Sequence, residues 1–212
     1  FPIVGAWLGI IVAAMLDAAR GYLPFTLSAL LVLAFLAALT GGLHEDGFAD
    51  CVDAFRAGRA PEKILPILKD SRIGAHGALA LILASLIRWQ ALSAIVVDPV
   101  PALAAVVGIS RASAVVLAWI TPPAGSGLGA EFSRSLTTPI ALAVILQGAA
   151  LAFWPGARAA AFLLSAAVVI VLLARSYFVR RIGGASGDGL GAVAYIIETL
   201  SLVLFSCQPC ML

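Results

Sequence analysis

Seven runs of about 20 apolar residues, each closed by turn residues, limit what this chain can fold into more than any other feature. They cover roughly 2–19, 24–43, 74–97, 100–120, 136–154, 159–179 and 190–206. Between them stand Arg20-Gly21-Tyr22-Leu23-Pro24, Asp98-Pro99, Thr121-Pro122-Pro123, Trp154-Pro155-Gly156 and Gly183-Gly184. Runs of this length suit helices that cross a bilayer, where each backbone N–H must find its acceptor within the segment. The chain is 62% hydrophobic and 11% charged, against roughly 25% charged in soluble domains. It has too few charges to cover a soluble surface. The fold expected is all-α: a polytopic membrane helical bundle of about seven transmembrane helices, forming one integral-membrane domain over residues 1–212. Its first partner is the lipid bilayer. A net charge of +2 gives no basis for nucleic-acid binding. Cys207-Gln-Pro-Cys210 has the C-x-x-C form but no second pair or histidine beside it, so a redox or zinc role is not expected. The chain starts at Phe1 rather than Met, and a further N-terminal segment is expected upstream.

Basic residues set the expected orientation. Arg56, Arg59, Lys63, Lys69, Arg72, Arg134, Arg180 and Arg181 follow spans two, four and six, whereas Arg20 and Arg158 follow spans one and five. Positive charge favours the cytoplasm, so the first set is expected there. The glycine-rich polar segments HEDGFADCVD, GSGLGAEF and GGASGDGLGA fall on that same side. One site facing the cytoplasm is therefore expected.

Six of the 11 acidic residues lie in one stretch: Glu45, Asp46, Asp50, Asp53, Glu62 and Asp70. Charge that is costly near a membrane is usually retained for function. If the second span continues as a helix past Gly42, Asp46, Asp50 and Asp53 share one face, with Glu45 about 100° to the side. Carboxylates on one face repel unless a cation lies between them, and oxygen donors suit Mg²⁺, Mn²⁺ or Ca²⁺. His44 is a ligand or a hydrogen-bond partner. Downstream, Lys69 and Arg72 are set among Asp70, Ser71 and Gly74, with Arg59 nearby. Carboxylates for a metal beside cations for phosphate oxygens are what phosphoryl transfer requires. In GGASGDGLGA, Gly183, Gly184, Ser186 and Gly187 offer a phosphate-binding turn at the start of the last span. Asp188 is a further ligand or a proton acceptor. Deep in the spans, Arg111 and Glu198 are expected to pair, about 14 and 12 Å in at 1.5 Å per residue. Arg88, nearer the outer end, is expected to snorkel.

These motifs resemble the cobalamin synthase family, also called adenosylcobinamide-GDP ribazoletransferase or cobalamin-5′-phosphate synthase. GGLHEDGFADCVDA, KDSRIGAHG and GGASGDGLGA follow the family's pattern in order, with Glu198 after them, and FPIVGAWLG is similar to its first span. Phe48 stands where the pattern has leucine, and Ser186 where it has threonine. The resemblance implies a multi-pass enzyme of the bacterial cytoplasmic (inner) membrane that uses Mg²⁺. Its substrates would be adenosylcobinamide-GDP and α-ribazole or α-ribazole 5′-phosphate, with GMP released. On that reading Asp46, Asp50 and Glu45 hold metal, with Asp188 as a further ligand. Asp53 or Asp188 takes the proton of the attacking hydroxyl. Lys69, Arg72 and the 183–191 backbone hold phosphate oxygens. A homo-oligomer or a complex with enzymes of the same pathway is compatible with the sequence. Two other readings exist. A CDP-alcohol phosphatidyltransferase also begins a motif with Asp-Gly, but then needs alanine and arginine where this chain has Asp50 and Cys51. A cation-coupled transporter would place its acids near the bilayer midplane rather than at one face.

Overall fold

The computed structural model describes residues 1–58, 60–70, 72–95 and 97–207. Arg59, Ser71 and Cys210, singled out above, lie outside the described residues. Ten helices account for the regular structure there: α1 (Pro2–Arg20), α2 (Phe25–Thr40), α3 (Leu43–Ala57), α4 (Pro61–Ile67), α5 (Ala75–Ser93), α6 (Pro99–Ile120), α7 (Leu128–Ser135), α8 (Thr138–Phe153), α9 (Ala157–Ile182) and α10 (Gly187–Ser206). Prolines in the first turn open α1, α4, α6 and α8, where a missing N–H costs nothing. The Asp98 side chain caps α6 at Val100 N, 3.0 Å away.

Helices α1, α5, α6, α9 and α10 are each long and apolar enough to cross a membrane. Two further crossings follow if α2 with α3, and α8 with α7, each count as one broken span. The helix after α2 does not run on as expected. Gly41 and Gly42 take φ of 67° and 65°, a left-handed turn that costs glycine little. The chain turns through 87° into α3. In the crossings α2 is the apolar limb, and α3 is an amphipathic helix lying across the end of the bundle. Asp46, Asp50 and Asp53 still share one face, because α3 restarts at Leu43 and carries all three. The second bend, 95° between α7 and α8, places α7 at the same end.

α6 is the central post. It is buried on nearly all sides and packs against α1, α8, α9 and α10. α1 reaches it through Gly5 and Gly9. A Cβ on Gly5 would stand 2.7 Å from the Val107 carbonyl oxygen, and one on Gly9 would overlap the Leu103 carbonyl. Small residues four apart let two backbones close up where lipid supplies no hydrophobic drive between helices. The outward faces carry Trp7, Leu30, Leu83, Leu146, Leu172 and Leu173, all exposed, as a lipid-facing surface requires.

Successive crossings bring the glycine-rich connections to one end. The 122–124 and 185 backbones pair there: Ala124 N donates to Ala185 O at 2.8 Å, and Ala185 N to Pro122 O at 2.9 Å. Arg181 on α9 donates to Gly58 O at 2.6 Å and Phe55 O at 3.2 Å, closing the C-terminal end of α3. The turns at 21–24 and 154–156, and the Asp98 cap of α6, lie at the other end. Gly9→Val should lower the thermal unfolding midpoint in detergent markedly, since overpacking costs about 1–3 kcal/mol or more, while Leu30→Val on the lipid face should leave it within about 1 °C. Equal midpoints for the two variants would contradict the α1–α6 packing.

Candidate active site

α3 is the floor of the site. Asp46 and Asp50, one turn apart, line an open recess of about 440 Å³ with Gly41, Gly42, Ile73 and Leu81. α10 starts against the same helix. A Cβ on Gly47 would stand 2.8 Å from the Asp188 carbonyl oxygen, so glycine there lets Asp188 sit beside the carboxylate face. Burial first, and then the charges of Asp46, Asp188, Asp53 and Asp70, together push the Asp50 carboxyl up to about 6. The three motifs thus share one electrostatic field.

Asp53 is not a free base. Its two oxygens accept Gly74 N at 2.7 Å and Gly77 N at 2.8 Å. It caps the start of α5 from 21 and 24 residues upstream, and Cβ atoms on either glycine would collide with its carboxylate. This explains glycines that the sequence offered no reason for. Arg72 also leaves the site: its side chain is 86% exposed and forms a bidentate pair with Asp70 (Nε to Oδ1 3.0 Å, Nη2 to Oδ2 2.7 Å). That bond holds the Asp70 carboxyl well below its ordinary range.

Lys69 does border the site. With Ser126, Gly129, Ser186, Gly187 and Asp188 it lines a recess of about 120 Å³. Ser186 caps α10 by accepting Gly189 N at 3.1 Å. α7 starts beside it, and a Cβ on Gly129 would stand 2.7 Å from Gly187. Gly183 and Gly184 have other work. Gly183 ends α9 in the left-handed conformation, its N–H donated to Val179 O at 3.1 Å. Gly184 lies against the Pro122 carbonyl with no room for a Cβ. The segment GSGLGAEF, noted above only for its side of the membrane, contributes a wall.

Below the acids lies a buried ion cluster. Arg88 and Arg111 both donate to Glu198, one to each carboxylate oxygen. Ser110 Oγ donates to Glu198 Oε2 at 3.3 Å and accepts Arg111 Nη1 at 2.7 Å. Arg88 does not snorkel: it is 4% exposed, lies 4.5 Å over the Tyr195 ring and reaches Glu45 Oε1 at 3.8 Å. Glu45 is thereby drawn toward the cluster, with its Oε2 buried and unpartnered among the described residues. His44 packs its backbone on Gly191. Burial, with Arg111 next, lowers its imidazole to about 4 and keeps it neutral.

The donor set suits a hard divalent cation by its chemistry: Asp46, Asp50 and Asp188 are oxygen donors whose mutual repulsion a cation would relieve. As they stand, no three His, Cys, Asp or Glu side chains among the described residues converge on one point. Glu198→Gln should unfold the protein more readily than Arg88→Met or Arg111→Met, because it leaves two buried cations facing each other, at about 3–5 kcal/mol. Thermal midpoints in detergent measure this; a smaller loss for Glu198→Gln than for either arginine variant would refute a shared carboxylate.

A family model described as Cobalamin-5-phosphate synthase matches residues 1–206. Proteins named adenosylcobinamide-GDP ribazoletransferase are similar over nearly the whole chain. That of Ralstonia pickettii is 36% identical over 207 residues, 95% of this chain and 81% of its own. That of Mesorhizobium japonicum is 39% identical over 214 residues, 97% of this chain and 80% of its own. That of Geotalea daltonii is 35% identical over 208 residues, 96% of this chain and 83% of its own. No solved structure matches the chain. With its model matched from the first residue to the end of α10, and its motifs gathered at one end of the bundle, the chain belongs to the cobalamin-5-phosphate synthase family.

Proposed function

We propose that this chain is an adenosylcobinamide-GDP ribazoletransferase of the bacterial cytoplasmic membrane, with its site toward the cytoplasm. One observation carries the reading beyond family membership. Asp46 and Asp50 on α3, Lys69 after α4 and Ser186–Asp188 at the start of α10 are far apart in sequence and adjoin in space. Acids for a cation, an ammonium for phosphate oxygens and a helix N-terminus for an anion are together what a diphosphate substrate needs. Neither a phosphatidyltransferase nor a transporter is favoured by the family match.

A hydroxyl of α-ribazole, or of its 5′-phosphate, attacks the phosphorus next to cobinamide. The new P–O bond forms as the bond to the departing GMP oxygen breaks. Asp188 accepts the hydroxyl proton; Asp53, with both oxygens committed to α5, does not. Lys69 and the first turn of α10 hold phosphate oxygens against the charge that builds in transfer. Mg²⁺ would be held by Asp46 and Asp50, with Asp188 at the edge, and would supply charge neutralisation for the diphosphate. The buried cluster of Glu45, Arg88, Arg111 and Glu198 ties α3, α5, α6 and α10 together.

Purified protein incubated with adenosylcobinamide-GDP and α-ribazole should release GMP in a Mg²⁺-dependent, chelator-sensitive way. Asp188→Asn should cut turnover roughly 10²–10⁴-fold with the thermal midpoint retained. Asp53→Ala should instead destabilise by about 0.5–2 kcal/mol, as loss of a cap does. Undiminished turnover in the Asp46→Asn/Asp50→Asn double variant would sink the cation site. The orientation is tested separately. In a background without Cys51, Cys207 and Cys210, cysteines replacing the exposed Glu62 and Ser126 should react from the cytoplasm. One replacing Tyr22, 92% exposed, should react from outside. Ser126 and Tyr22 positions labelling from one side would overturn the topology.

A further inference from the structure

α3 has a second face. Phe48, Val52 and Phe55 lie roughly half a turn away from Asp46, Asp50 and Asp53. They line a recess of about 590 Å³ between α3, α9 and α10, with Ile170, Leu173 and Ile196 on its other walls. Leu173 is 64% exposed, so the recess opens on the lipid-facing side of α9. Its polar rim carries Arg56 and Arg180. A second recess of about 650 Å³ adjoins at Phe55 and Arg56 and adds Lys63 and Arg181. Among the described residues, no aspartate or glutamate lines either one. Glu62, beside Lys63 in sequence, is exposed, and Asp53 is turned away to Gly74 and Gly77. Arg181 is spent on α3 and on Tyr177 Oη. Among the described residues, Arg180 bonds only the Ser176 carbonyl of its own helix, at 2.9 Å.

An apolar, aromatic cleft that opens to hydrocarbon and ends in unneutralised cations at the membrane face matches one class of molecule. We propose that it holds an anionic phospholipid of the surrounding leaflet. The phosphate lies between Arg56 and Arg180, and an acyl chain runs along Ile170, Leu173 and Ile196. Charge complementarity selects the headgroup, since basic pockets between membrane helices on the cytoplasmic side suit anionic lipid. Because the recess is on the reverse of α3, the lipid buttresses the helix that carries the carboxylates without entering the reaction. This site does not depend on which substrate the opposite face takes.

Thermal unfolding in phosphatidylcholine–detergent micelles tests it, with phosphatidylglycerol or more phosphatidylcholine added. Phosphatidylglycerol at saturating level should raise the midpoint by about 5 °C or more, and phosphatidylcholine should not. Native mass spectrometry should show one retained anionic lipid. Arg56→Gln/Arg180→Gln should lose the phosphatidylglycerol shift and keep the phosphatidylcholine midpoint. Ala174→Trp, which narrows the cleft, should lose the shift as well; should it lower the midpoint in phosphatidylcholine, the arginine pair decides alone. A shift that survives the arginine pair's removal would mean general surface attraction and overturn the site. So would a midpoint that tracks protein concentration and not lipid, which assigns the cleft to a second copy. Stabilisation by adenosylcobinamide-GDP that requires Arg56 and Arg180 would overturn it in favour of substrate.

Discussion

Glu198 is the point on which the bundle turns. Its carboxylate is buried in α10 and is met by Arg88 from α5 and Arg111 from α6. Glu45 reaches Arg88 from α3. Two cations and two carboxylates balance, and four helices are tied at one depth. A lone charge there would cost several kcal/mol, so none of the four can leave without the others. Such a cluster adds little net stability over apolar packing, but removing any one member leaves a partner's charge buried and unpaired. α3 is joined to the cluster through Glu45, in addition to its packing on α10 and α5.

With the cluster below it, the α3 end becomes a rigid floor with divided duties. Glu45 points inward to Arg88, Asp53 holds α5, and Asp46 and Asp50 remain open to a recess. Residues of one type, spaced over a single helix, do three kinds of work according to what packs beside them. Glycines mark the same division. Gly47 brings Asp188 up to α3, Gly74 and Gly77 leave room for the Asp53 carboxylate, and Gly184 accommodates Pro122. Each is a close approach of chain to chain, and each puts a polar group where a side chain would have blocked it.

Much of this was legible beforehand. The crossings came from run length, because a bilayer sets the length of a helix and its apolar content together. The shared face of Asp46, Asp50 and Asp53 came from the helical period and survived the 87° bend, since all three lie on one side of it. The Arg111–Glu198 contact came from the cost of isolated charge at depth. Arg88 was misjudged because position along a span says nothing about which way a side chain faces. Asp53 was misjudged because its partners, Gly74 N and Gly77 N, become neighbours only when α3 packs on α5.

The amino-acid sequence by itself determined where the chain must be helical and apolar, where it must turn, and which residue types gather at one end. These follow from local period, glycine and proline chemistry and the thickness of a membrane, all of which act over a few residues. Only the tertiary structure decided which acid stays open to a recess, which cation borders the candidate site and which is buried against a carboxylate. Those choices depend on distances between segments tens of residues apart, which interhelical packing sets: Lys69 beside Asp188, Asp53 against Gly74 and Gly77, and Arg88 turned inward to Glu198.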